Sequence, residues 1–229
     1  MNKLKELFKK ENIIKGLKWF FFSYIWLGVL LFVIDIVSKH VALNAFGGWD
    51  TFYEGVPSDA YGSFIPGVMS FTLTFNTGAA WGILGNVEDI YRRIILIGIS
   101  AILSIAFIVF YIVKFKKLNR WYKAFLMCLA AGAIGNLIDR AAYPDGKVID
   151  FIQFDFWPTF PVFNFADAVL VVAIAFMVVY MAIEEIMAFI KKRKLEKETE
   201  NLPNDSSLND NIESENKVEE NKEENKKDE

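Results

Sequence analysis

The sequence predicts an all-α integral membrane protein with four transmembrane helices, both termini in the cytoplasm and a small extracytoplasmic β-sheet. Three observations predict it. Of 229 residues, 54% are hydrophobic and 22 are phenylalanine, more apolar surface than one soluble domain of this length hides from water. Four stretches each run to about 20 mostly apolar residues, enough to cross roughly 30 Å of hydrocarbon. Basic residues collect on alternate connections, which sets the direction of each span.

The first span is expected over Leu17–Ser38, following Lys3, Lys5, Lys9, Lys10, Lys15 and Lys18. Its core, "WFFFSYIWLGVLLFVIDIVSK", is too long for the apolar region of a signal peptide and has no small-residue cleavage site, so it is expected to remain as an anchor. Residues 46–64, "FGGWDTFYEGVPSDAYGSF", mix Trp49, Phe52, Tyr53 and Tyr61 with Gly and Pro, which suits an interfacial loop or short helix. In "MSFTLTFN", 69–76, Ser70, Thr72 and Thr74 alternate with Met69, Phe71, Leu73 and Phe75, the period of a strand with one apolar face. The second span is expected over Ile90–Val113; Arg92 and Arg93 at its outer start run against the charge rule without reversing it. Lys114, Lys116, Lys117, Arg120 and Lys123 then mark an inner connection before a third span, Trp121–Asp139. A "PDG" turn leads into "VIDFIQFDF", 148–156, a second alternating segment, and the fourth span is expected over Phe165–Ile190, ahead of Lys191, Lys192, Arg193 and Lys194.

The net charge of −3 averages a cationic membrane domain, 1–195, with an acidic tail, 196–229. The tail holds almost no apolar residue to offset its chain entropy, so it is expected to be disordered. Cys128 is the sole cysteine, which excludes an internal disulfide, and its place in the third span suits a buried thiol.

This topology brings Asp35, Asp139 and Asp167 to one depth near the outer face. An ionisable side chain at the edge of hydrocarbon costs at least about 2.5–3.5 kcal/mol to insert and is a functional-site candidate by default. Each has a purely structural alternative. Asn164 and Asp167 stand three apart before an apolar run, the spacing of a capping box. Asp139 at a helix C-terminus opposes the macrodipole and calls for a partner such as Arg140. Asp35 and Lys39 form an i, i+4 pair of favourable orientation. On the third span Cys128, Gly132, Gly135, Asn136 and Asp139 share one face, with glycines that let a neighbour approach. Two carboxylates sharing a proton would suit amide hydrolysis by activated water, one acting as base and the other as acid. Other chemistries fit less well. His40 is the sole histidine, adjacent Ser38 and Lys39 point about 100° apart on a helix, and neither HExxH nor CxxC occurs. A proton pathway would continue with polar residues toward the inner side, where the spans are almost wholly apolar, and an inert four-span scaffold would need no paired acids. No metal, cofactor or nucleic-acid partner is expected.

Five blocks, "IDIVSK" (34–39), "FNTGAAWG" (75–82), "AGAIGNLIDR" (131–140), "VIDFIQFDF" (148–156) and "PVFNFADAVL" (161–170), occur in the order found in lipoprotein signal peptidase, the bacterial type II signal peptidase family, which the chain resembles from about Ile34 to Leu170. The resemblance implies a membrane aspartyl endopeptidase, acting at the extracytoplasmic face of the bacterial cell membrane. It would cut prolipoproteins on the N-terminal side of a diacylglyceryl-modified cysteine. By position it implies Asp139 and Asp167 as the catalytic pair, Asn76, Asn136, Arg140 and Asn164 as substrate-binding donors, and Asp35, Lys39, Gly78 and Gly132 as supports. It also implies a sheet that cradles substrate, contact with membrane lipids and a groove open to the cyclic peptide globomycin; a monomer is expected. Trp81 stands where the family usually has Phe, Ala131 replaces a common Gly, the 46–64 segment is longer than usual, and the acidic tail is not a family feature.

Overall fold

The computed structural model describes residues 10–56, 61–78 and 87–200. Part of the "FNTGAAWG" block, 79–82 with Trp81, and residues 201–229 of the expected tail lie outside them. The chain divides into two compact units, Met1–Val179 and Tyr180–Glu229. The second is helical over its described residues, 180–200.

Among the described residues, four helices are long and apolar enough to cross a membrane. We label them α2 (Ile25–Ala45), α3 (Asp89–Lys114), α4 (Arg120–Ala142) and α5 (Phe165–Glu200), preceded by α1 (Lys10–Ser23). The start of α4 is set by Asn119, whose Oδ1 accepts the Trp121 and Tyr122 backbone N–H groups at 3.0 and 3.1 Å. Pro144 follows its last turn, where the Tyr143 N–H still bonds the Asp139 carbonyl at 2.8 Å. Helix α5 includes 196–200, which composition assigns to the tail.

The first span differs from expectation. The helix expected to begin at Leu17 is broken at Tyr24, which takes a left-handed conformation (φ 60°, ψ 10°), and the spanning helix begins at Ile25. Ser23 supports the break: its Oγ donates to the Phe20 carbonyl at 2.7 Å and accepts the Ile25 N–H at 3.3 Å, and its own carbonyl accepts the Tyr111 hydroxyl. A left-handed non-glycine residue is held by such contacts, which hydropathy does not register.

Three antiparallel strands, β1 (Tyr61–Ile65), β2 (Met69–Asn76) and β3 (Val148–Phe154), pair in the order β1-β2-β3. The sequence expectation matches β2 and β3, but β1 lies where a loop or short helix was expected; before it come a 3-10 turn, Gly48–Asp50, and one α-helical turn, Thr51–Glu54. In β2 the register against β3 shifts between Phe71 and Thr74. Ser70 and Leu73, three apart rather than two, are therefore its two buried residues. Leu73 joins Leu43, Ile149, Phe151 and Tyr143 in a core cluster, while Ser70 donates to Asp155 Oδ1 at 2.6 Å. Unlike a strand with one wet face, β3 buries Val148, Ile149, Asp150 and Phe151 in succession.

Glycines on α4 set how closely its neighbours come. A Cβ at Gly132 would stand 2.6 Å from Leu170 Cγ and 2.8 Å from the Ala166 carbonyl oxygen of α5. Gly132→Ala is expected to force these helices apart and destabilise the fold by about 1–3 kcal/mol. A drop in thermal unfolding temperature in detergent would register it, while Gly98→Ala on α3, with nothing within 4 Å, serves as the unaffected control.

Candidate functional site

The C-terminal ends of α2 and α4 and the N-terminal end of α5 meet at β3, and the polar groups expected from the sequence converge there. At the base is Lys39, fully buried on α2. Its Nζ stands 2.8 Å from Asp35 Oδ2 and 3.0 Å from Asp139 Oδ2, and donates to Asn136 Oδ1 at 3.3 Å. Asp35 Oδ1 accepts the Ala166 N–H of α5 at 2.9 Å, and Asp139 Oδ2 accepts the Ile149 N–H of β3 at 3.3 Å. One ammonium thus ties three helices to the sheet, with both buried carboxylates paired and further hydrogen-bonded, as burial of charge requires. Gly135 permits this, because a Cβ there would collide with the Asp35 carboxylate.

Asn164 and Asp167 form the capping box that their spacing suggests. Asn164 Oδ1 accepts the Asp167 N–H at 3.0 Å, and Asp167 Oδ2 accepts the Asn164 N–H at 3.2 Å. Asp167 is not confined to that role: its Oδ1 accepts a bond from Asn136 Nδ2 at 2.7 Å. Asn136 Oδ1, in turn, accepts from both Lys39 and Asn164 Nδ2, the latter at 3.1 Å.

Asp150, in the doubly covered part of β3, faces the same network. Its Oδ1 accepts from Asn164 Nδ2 at 2.6 Å and its Oδ2 from Asn76 Nδ2 at 2.9 Å. Burial, and after it the charge of Asp167, pushes the Asp150 carboxyl up to about 7. Asn76 is itself fixed by the Gly78 N–H, which donates to its Oδ1 at 2.9 Å, and the Gly78 carbonyl accepts from Arg140 Nη2 at 3.3 Å.

Above these groups lies a cavity of about 240 Å³. Asp150, Asp167, Asn76, Asn136 and Arg140 give it its polar wall, and Phe160, Leu170 and Val171 contribute to its apolar one. Buried Arg140 Nε has no hydrogen-bond partner among the described residues. A polar patch of this kind in a largely apolar cleft suits a ligand that has both apolar and hydrogen-bonding parts.

The structure brings the expected residues together but distributes them differently. Asp167, Asn76, Asn136 and Arg140 line the cavity; Asn164 lies fully buried behind it. Asp139 is not on the cavity wall, and its ion pair is with Lys39 rather than Arg140. The carboxylate that shares the cavity with Asp167 is Asp150, a residue of the 148–156 segment that sequence reasoning missed. Its signal was the run Val148, Ile149, Asp150, Phe151, where a lone acid sits among residues apolar enough to be covered on both faces. Asp35 and Lys39 form the support beneath, Gly78 joins Asn76 to Arg140, and Gly132 acts in helix packing rather than at the cavity. The 48–54 turns reach this end through Trp49, whose ring lies 5.6 Å from Tyr143 and 5.9 Å from His40.

A family model described as signal peptidase (SPase) II matches residues 27–183. A lipoprotein signal peptidase of Enterococcus faecalis (strain ATCC 700802 / V583) is 35% identical over 162 residues, covering 71% of this chain and 89% of that protein. One of Pseudomonas paraeruginosa (strain DSM 24068 / PA7) is 35% identical over 152 residues, covering 65% of this chain and 81% of that one. A solved bacterial membrane enzyme, determined by the in meso method at 2.3 Å resolution, superposes with a TM-score of 0.55 at 26% identity, covering 71% of this chain and 89% of its own.

Proposed function

Because the chain belongs to the signal peptidase II family, a family of multi-pass membrane peptidases that remove signal peptides from prolipoproteins, we propose that it cuts just before a diacylglyceryl-modified cysteine with Asp150 and Asp167 as its acid pair. The observation that carries this reading is the presence of both carboxylates on one cavity wall, ringed by Asn76, Asn136 and Arg140. Asp139, the partner expected from the sequence, is instead assigned to the buried support.

In the proposed reaction Asp150, protonated up to about pH 7, serves as the acid and Asp167 as the base. Water held between them attacks the scissile carbonyl carbon while Asp167 takes its proton and Asp150 donates one to the carbonyl oxygen. The tetrahedral diol then collapses: Asp167 returns its proton to the leaving nitrogen, the C–N bond breaks, and Asp150 recovers a proton from the diol. Arg140 Nε, with no partner of its own among the described residues, is free to donate to a peptide carbonyl or a lipid ester oxygen. The basic connections expected on the inner side support an extracytoplasmic position for this end of the bundle, the depth at which a diacylated cysteine would be held by its acyl chains. A globomycin-type cyclic peptide is expected in the same cavity, and a single copy supplies all the named groups.

The test is cleavage of diacylated and unlipidated precursor, side by side, by the purified full chain across about pH 5–9. Only the diacylated form is expected to be cut. Since the Asp150 pKa is raised, its proton is present below about 7 and lost above it, so the rate should fall as pH rises through that value. Equal cleavage of both precursors would remove the substrate assignment, and a rate that holds steady through pH 8 would remove Asp150 as the acid.

A further inference from the structure

We propose that α1 is a membrane-surface helix that binds anionic phospholipid headgroups at the end of the bundle where α2 begins. The family match starts at residue 27, so α1 lies outside it and the cavity chemistry makes no use of it.

Continued straight, α1 and α2 would form a rod of about 50 Å at 1.5 Å per residue, far beyond the roughly 30 Å of hydrocarbon. The left-handed turn at Tyr24 interrupts that rod, so α1 does not extend the axis of α2. The turn is held rather than loose: the Ser23 carbonyl accepts the Tyr111 hydroxyl, and Trp26 Nε1 caps the Phe21 carbonyl at 3.2 Å. Beside the mouth of a membrane span, α1 exposes Ile14, Leu17, Phe20 and Phe21, which share one side at spacings of three and four. Such a stripe needs an apolar cover, and the headgroup boundary lies directly alongside it.

Charge identifies the kind of surface. Exposed Lys15 and Lys18 flank the stripe, with Glu11 as the acid in the first turn. Trp19 packs against Phe115, ring centroids 6.2 Å apart, at the α3–α4 connection. That connection carries exposed Lys116, Lys117 and Arg120, and Lys123 sits 4.0 Å over the same Phe115 ring. The contact gathers cations of two segments at one end of the bundle, beside an apolar face. Phosphate headgroups of an anionic leaflet complement both features, whereas a zwitterionic leaflet complements only the apolar one.

The experiment is hydrogen exchange of the full chain in lipid nanodiscs of phosphatidylcholine alone or mixed with phosphatidylglycerol. Amides of 14–23 are expected to exchange about tenfold more slowly in the anionic discs. The K15Q/K18Q double variant should lose that difference while cleaving diacylated precursor as before. Equal protection in both discs would overturn the headgroup assignment. Protection that appears only in discs holding two copies would assign the face to a second chain instead, and also overturn it.

Discussion

Asp150→Asn is expected to lower cleavage of diacylated precursor by about 10²–10⁴-fold while the protein remains folded in the membrane. The substitution keeps the shape of the side chain and is neutral, like the protonated acid that burial favours at this position. It removes the proton that would reach the scissile carbonyl. Its cost to the fold is local: an amide Nδ2 would face the donors of Asn76 or Asn164, and Asn76 is kept from flipping by the Gly78 N–H. The paired control is Asp139→Asn, which leaves the cavity wall intact and takes one of two counter-charges from Lys39. Its deficit should appear in the yield of folded protein more than in the rate per folded molecule. Wild-type turnover by Asp150→Asn, with Asp139→Asn folded but inert, would return the pair to Asp139 and Asp167.

The largest stability effect is expected from Lys39→Met. Methionine fills similar space, but it strands the Asp35 and Asp139 carboxylates, both buried, without their shared cation. Removing one partner from a buried ion pair costs about 3–5 kcal/mol. The readout is thermal unfolding in detergent, with Lys39→Met far below wild type. Adding Asp35→Asn and Asp139→Asn to it should recover much of the loss, because no uncompensated charge then remains. An unshifted midpoint in the single variant would mean that the ammonium contributes nothing net to the fold.

Much of this architecture is legible in the residues. Length and hydropathy locate three spans to within a few positions, because a membrane demands unbroken apolar helix and α3, α4 and the start of α5 meet that demand simply. Alternation finds β2, and the Asn164–Asp167 spacing finds its capping box, since both are local rules. What escaped depends on distant partners. The break at Tyr24 rests on a contact to Tyr111, far along the chain. Strand β1, "YGSFI", is short, with Gly62 and Ser63 between its strand-favouring Tyr, Phe and Ile and no apolar/polar alternation, and is a strand by pairing with β2. Asp150 has the parity of Ile152 and Phe154, the apolar side of the alternation, and its partners Asn76 and Asn164 lie on other segments, just as Asp139 finds Lys39 on another span.

The Asn136 amide has a consequence for how the site works. Two N–H donors, from Lys39 and Asn164, converge on its oxygen, so its NH₂ end has only one way to point, toward Asp167. Solvent dipoles would have to swing round as charge migrates during bond breaking, and that rearrangement raises a barrier. Here the dipole is already aimed when the chain finishes folding, so in the proposed reaction an arriving lipopeptide would meet a carboxylate whose bearing is set in advance.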